Sequence, residues 1–296
     1  METQPIPRAD TGFKFYHYNP STAGNAIFAG LFAVISIAHL WLIIKSRGWY
    51  FIPFLVGCIF EAVGYVGRVI SSNETPNWTL NPYLVQTLLL LMGPTLYAAS
   101  IYMVLGRLVR SLDAAHHSII RVNWLTKVFL MGDILSICGQ GGGGGMMASA
   151  KTSGALDTAN NIVILGLGIQ IIFFSLFIVT TILFHIRIRR VPTSQSLITT
   201  SPWEQFIWVL YVSSVLILIR SIFRVGEFAL GNGNELQLRE IYIFVLDAIP
   251  ILAVAMAFAW FHPCNILDSY KKLGKGMGIE SNSEDYMMGN MDGYRS

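Results

Sequence analysis

The chain has 296 residues, 53% of them hydrophobic and only 12% charged, with a mean hydropathy of +0.55. Soluble domains carry about 25% charged residues, and 20 bases with 17 acids would leave large apolar faces in water. A soluble enzyme and a disordered chain are excluded, and a net charge of +3 is too small to mark a nucleic-acid binder.

Residues 1–22 are polar and lack the apolar core of a cleavable signal peptide, so the first apolar stretch is expected to serve as the targeting signal. A bilayer core about 30 Å thick takes roughly 20 apolar residues in a helix. Seven stretches qualify: 23–44, 49–70, 83–106, 126–147, 162–184, 206–228 and 241–261. The first, third and fifth contain no Asp, Glu, Lys or Arg. The fourth carries Gly141, Gly142, Gly143, Gly144 and Gly145, which lower its helix propensity. The runs are continuous and not alternating, which argues against a β-barrel. The expected fold is therefore all-α, a polytopic membrane bundle of seven helices. Residues 1–22 form an extracellular tail, 23–264 the transmembrane domain and 265–296 a flexible cytoplasmic tail.

Basic residues set the orientation. Lys45, Arg47, Arg107, Arg110, Arg121, Arg187, Arg189, Arg190, Lys271, Lys272, Lys275 and Arg295 would share one side, against Arg8, Lys14, Lys151 and Arg239 on the other. The positive-inside rule puts the larger set in the cytoplasm and the N-terminus outside. Two N-glycosylation sequons, at Asn73 and Asn77, fall in a loop on the predicted outside. Cys58, Cys138 and Cys264 read as small buried packing residues.

Ionisable residues inside membrane helices are costly unless paired or hydrated, and are functional-site hypotheses for that reason. The second helix carries Glu61, Tyr65 and Arg68 at i, i+4 and i+7, on one face. The sixth repeats that spacing with Arg220, Arg224 and Glu227. The fourth has Asp133, Ser136 and Gln140, and the seventh has Glu240 and Asp247 with Pro250 just beyond. Four polar stripes are most cheaply buried facing one another. Most of the charge would gather in the outer half, with Asp133 nearer the cytoplasm. Two readings stand: ion pairs that fix helix packing, and a hydrated cavity for a polar headgroup.

The glycine run at 141–145 is followed by Met146 and Met147, not by the Lys-Ser/Thr of a phosphate-binding loop. It fits close helix contact or a locally unwound helix lining a cavity. Pro94, in mid-helix, predicts a kink in the third helix.

The stretch from Glu61 to Arg68 resembles the ExxGYxxR signature of the fungal RTA-like proteins, named for resistance to aminocholesterol and also called the lipid-translocating exporter family. The likeness continues through Asp133, Ser136, Gln140 and the glycine run, through Arg220-Ser221-Ile222-Phe223-Arg224 with Glu227, and through Glu240, Tyr242, Asp247 and Pro250. Pro94, Tyr97-Ala98-Ala99, Tyr102 and His262-Pro263 fit as well, although Cys264 stands where a Gly is expected. The resemblance implies a fungal seven-helix membrane protein linked to movement of sphingoid long-chain bases, to resistance to toxic amphiphiles, or to porphyrin uptake.

Three function classes follow. In a transporter or flippase for amphipathic lipids, Glu61 or Asp247 would pair with an amine, and Arg220 or Arg224 with a phosphate or carboxylate. Without a nucleotide motif, transport would be passive or ion-coupled, with Glu61 or Asp133 as the coupling site. The alternative is a seven-helix lipid sensor or receptor. An intramembrane enzyme is disfavoured, because only His39 lies clearly within a helix and a zinc hydrolase needs about three ligands. The expected partners are membrane lipids or amphipathic small molecules, with no nucleic acid, nucleotide, cofactor or metal. The expected site is the plasma membrane, or else a vacuolar or other internal membrane.

Overall fold

The computed structural model describes residues 20–74, 79–118, 121–150, 152–198, 203–230 and 239–263. Among them are seven long helices and no strand: α1 Thr22–Ser46, α2 Ile52–Asn73, α3 Leu80–Ser111, α4 Val122–Ser149, α5 Ser153–Arg190, α6 Trp203–Ala229 and α7 Glu240–Trp260. Single turns at Trp49–Phe51, Ala115–His117 and Ser194–Ile198 sit in the connections. Both expected tails lie almost wholly outside the described residues. So do Asn77, Lys151, Cys264 and the tail bases Arg8, Lys14, Lys271, Lys272, Lys275 and Arg295.

All seven expected helices form, but only six are long and apolar enough to cross a membrane. The exception is α4, where Asp133, Gln140 and five glycines dilute the apolar content. Helix α5 starts at Ser153, nine residues before its expected start, an extension of about 13 Å at that end at 1.5 Å per residue. The Thr152 hydroxyl explains the early start, capping the helix by accepting from Ala155 N at 3.3 Å. Its far end carries Arg187, Arg189 and Arg190, which suit the negative end of the helix dipole.

Helices adjacent in sequence pack against each other, and α7 closes the ring on α1. Helix α3 also touches α5 and α6 and is the most buried of the membrane-length helices. Outward faces are apolar: Ile27, Val34 and Ile37 of α1, Leu165 and Ile172 of α5, and Trp208 and Val212 of α6 are each more than half exposed. Cys138 also faces outward on α4, correcting the expectation that it is buried, whereas Cys58 is buried and accepts from the Tyr97 hydroxyl at 3.1 Å.

The glycine run is helical throughout, so the unwound alternative is overturned. A Cβ added at Gly143 would lie 2.6 Å from Val163 Cγ2 and 2.8 Å from Ala159 O, and one at Gly139 would lie 3.1 Å from Gly166 Cα. These glycines let α4 and α5 approach closely, while Gly142 and Gly145 face open space. Pro94 lies inside the helical span of α3.

Candidate functional site

The C-terminal halves of α2 and α6 and the N-terminal ends of α1, α3 and α7 meet at one end of the bundle, where they bury most of the predicted ionisable residues. At the centre is Asp247, 1% exposed, inside a π-helical turn Phe244–Ala248. Pro250 follows in the next turn and has no N–H to donate. The widened turn closes through Ile249 N donating to Phe244 O, a geometry found often at functional sites.

Asp247 faces two guanidinium groups. Arg224 donates through Nε to Oδ1 at 3.0 Å and through Nη2 to Oδ2. Arg220 Nε lies 2.7 Å from Oδ1, an ion pair without hydrogen-bond alignment. Arg224 also donates through Nη1 to Glu227 Oε2 at 2.9 Å.

Arg220 also donates through Nη2 to the backbone carbonyl of Leu90. Leu90 lies four residues before Pro94, and a proline inside a helix deprives the carbonyl four residues earlier of its partner. Pro94 thus frees an acceptor within α3, and the guanidinium of α6 takes it. Glu61, 1% exposed, is 4.0 Å from Arg220 Nη2, and its Oε1 has no hydrogen-bond partner among the described residues. It faces Gly93, where any Cβ would come within 2.7 Å of that oxygen.

A second pair adjoins this centre toward the bundle end. Arg68 Nη2 donates to Glu240 Oε1 at 3.1 Å and Nε to Asn25 Oδ1 at 2.9 Å. Asn25 Nδ2 donates to Glu240 Oε1 at 2.8 Å, and Ser21 N to Glu240 Oε2 at 2.7 Å. Tyr65 packs between the two pairs with its ring stacked on Phe28 and Phe32. Counted together, Glu61, Glu227, Glu240 and Asp247 exceed Arg68, Arg220 and Arg224 by one acid.

Three of the four stripes therefore meet as expected, and the fourth does not. Helix α4 packs on α3 and α5 and is not among the neighbours of α7. Asp133, Ser136 and Gln140 form their own buried group with Gln170 of α5. Gln140 Nε2 donates to Ser136 Oγ at 2.6 Å and to Gln170 Oε1 at 3.1 Å. Asp133 sits beside Tyr102 of α3, but the pair does not reach hydrogen-bond geometry.

Sequence reasoning missed Asn25, Gln170 and the Leu90 carbonyl. The first two are neutral amides in charge-free stretches, and Pro94 was the available signal for the third. His39 is a hydrogen-bonding group, with Nε2 3.0 Å from Ala255 O. Asn73 is exposed at the last residue of α2.

Residues 54–270 match the family model described as RTA1 like protein. The chain is 36% identical over 275 residues to Protein RTA1 of Saccharomyces cerevisiae, covering 84% of this chain and 85% of that one. It is 34% identical over 288 residues to Protoporphyrin uptake protein 1 of the same organism, covering 84% and 92%. It is 24% identical over 276 residues to a protein from a strain of the same species named Sphingoid long-chain base transporter RSB1, covering 82% and 72%. No solved structure matches the chain.

Proposed function

The chain belongs to the RTA1-like family, and from that premise we propose that it moves amphipathic lipids bearing a cationic headgroup from one leaflet of a membrane to the other. The observation that carries this reading is Glu61. Asp247 is committed to two guanidinium groups, Glu227 to Arg224 and Glu240 to Arg68. Of these four acids Glu61 alone has a buried oxygen, Oε1, without a hydrogen-bond partner among the described residues, and the named acids outnumber the named bases by one. A protonated amine entering beside Glu61 would balance the charge and supply the missing donor. An acyl tail would lie along the apolar outer faces of the helices. A relative named for sphingoid long-chain bases handles this class of molecule, an amine on a long chain.

In this reading all seven helices cross the membrane, with α4 completed by its contacts to α3 and α5. The N-terminus lies outside, and the ion cluster occupies the outer half of the bilayer. The plasma membrane is the site we favour.

The test is reconstitution of the purified protein into vesicles with a fluorescent sphingoid base or a fluorescent zwitterionic phospholipid. Transbilayer movement of the base should exceed that in empty vesicles and exceed that of the phospholipid. Glu61→Gln should slow it several-fold with thermal stability preserved. If no lipid moves faster than in empty vesicles, transport is wrong and a sensor without transport activity takes its place.

A further inference from the structure

The headgroup reading leaves the second buried group, on α3, α4 and α5, without a task. Asp133 is 0% exposed. The helices packed on α4 present Tyr102 and Gln170 to this region, and no Lys, Arg or His pairs with Asp133 among the described residues. Its own helix adds only Ser136 and Gln140 on the same face. This is unlike Glu61, which has Arg220 4.0 Å away.

Counting hydrogens sharpens the contrast. The Gln140 amide donates to Ser136 and to Gln170, so both of its N–H groups are used. Asp133 Oδ1 and Oδ2 are both buried without a donor, and the Tyr102 hydroxyl beside them is also unpartnered. Three oxygens thus share one hydroxyl hydrogen. A buried carboxylate with no counter-ion, faced only by the unaligned Tyr102 hydroxyl, is among the costliest groups a protein can hold. A hard metal ion would need about six oxygens around it, and they are not gathered here. A single hydrogen on Asp133 removes the charge and supplies the missing donor.

We propose that Asp133 is an exchangeable proton site, separate from the ion cluster, with Tyr102 as its hydrogen-bond partner, through which a proton gradient drives lipid movement. The coupling half rests on the transport reading, while the proton site stands on the local geometry.

Two measurements on the full-length protein in lipid test it. Infrared spectra taken across a pH titration should contain a carboxylic-acid C=O band that is lost at alkaline pH. The band should be missing in Asp133→Asn and shifted in Tyr102→Phe. In vesicles, an imposed pH gradient should change the wild-type rate of base translocation several-fold, and Asp133→Asn should respond to no gradient. A wild type without the band, or a band that survives in Asp133→Asn, overturns the proton site. A gradient response in Asp133→Asn equal to that of wild type overturns the coupling. If the band behaves as expected but no lipid moves, the proton site is upheld and its coupling role falls with the transport reading.

Discussion

Replacing Asp247 by Asn tests whether the cluster is held by its central carboxylate. The carboxylate accepts two hydrogen bonds from Arg224 and lies 2.7 Å from Arg220 Nε. Without its charge, Arg220 keeps only the Leu90 carbonyl and Glu61 at 4.0 Å, while Arg224 keeps Glu227. Removing one partner of a buried ion pair costs about 3–5 kcal/mol. The Asn oxygen restores one hydrogen bond worth about 1 kcal/mol, leaving a loss of roughly 2–4 kcal/mol. At about 2–4 °C per kcal/mol for a chain of this size class, the midpoint should fall by about 4–16 °C. Thermal unfolding in detergent, followed by tryptophan fluorescence, measures it, with Glu61→Gln alongside. Glu61 Oε1 has no hydrogen-bond partner among the described residues, and neutralising Glu61 also removes a buried charge, so its midpoint should move by no more than about 2 °C. A D247N midpoint within that margin of wild type, or one above that of E61Q, would refute the reasoning.

Pro94→Ala gives Leu90 O back its helical donor. Removing a mid-helix proline gains up to about 3 kcal/mol, set against a charge-assisted hydrogen bond of roughly 1.5–3 kcal/mol. Thermal stability should hold or rise while base translocation falls, and a lower midpoint would contradict this account of Pro94. Gly143→Leu should cost about 1–3 kcal/mol by overpacking α4 on α5. Gly145→Ala faces open space and should gain up to about 1 kcal/mol, so denaturation of the two variants should move in opposite directions. Burial holds His262, beyond the end of α7, down at about 4 from its ordinary 6.5. The unfolded chain then takes the proton first, so this contribution is intact above pH 6.5 and is lost as pH falls from 6.5 toward 4. His262→Phe should flatten the fall in melting temperature over that range.

Much of this arrangement was legible from spacing. Glu61, Tyr65 and Arg68 recur at helical intervals, as do Arg220, Arg224 and Glu227, and burial forces such faces together whatever the loops do. What spacing could not tell was which stripes would meet. Asp133 and Gln140 carry the same signal as Glu61, but the tight glycine contact commits α4 to α5 and keeps them from the cluster. Neutral amides escaped because a lone Asn or Gln in an apolar run is common, and only geometry reveals that Asn25 bridges Arg68 and Glu240. The π-helical turn left no mark beyond Pro250, since a one-residue change in winding does not alter composition.

Helix α3 contributes to both polar groups, Leu90 O to one and Tyr102 to the other. Their separation of twelve positions along the helix spans about 18 Å of one continuous rod. A helix neither stretches nor compresses easily, so an axial slide of α3 that pulls Leu90 away from Arg220 must carry Tyr102 past Asp133 by the same distance. The two ends of such a tie-rod report to each other without any intervening chain of contacts. A proton arriving at one end would need no other messenger to loosen or tighten the grip of Arg220 at the other.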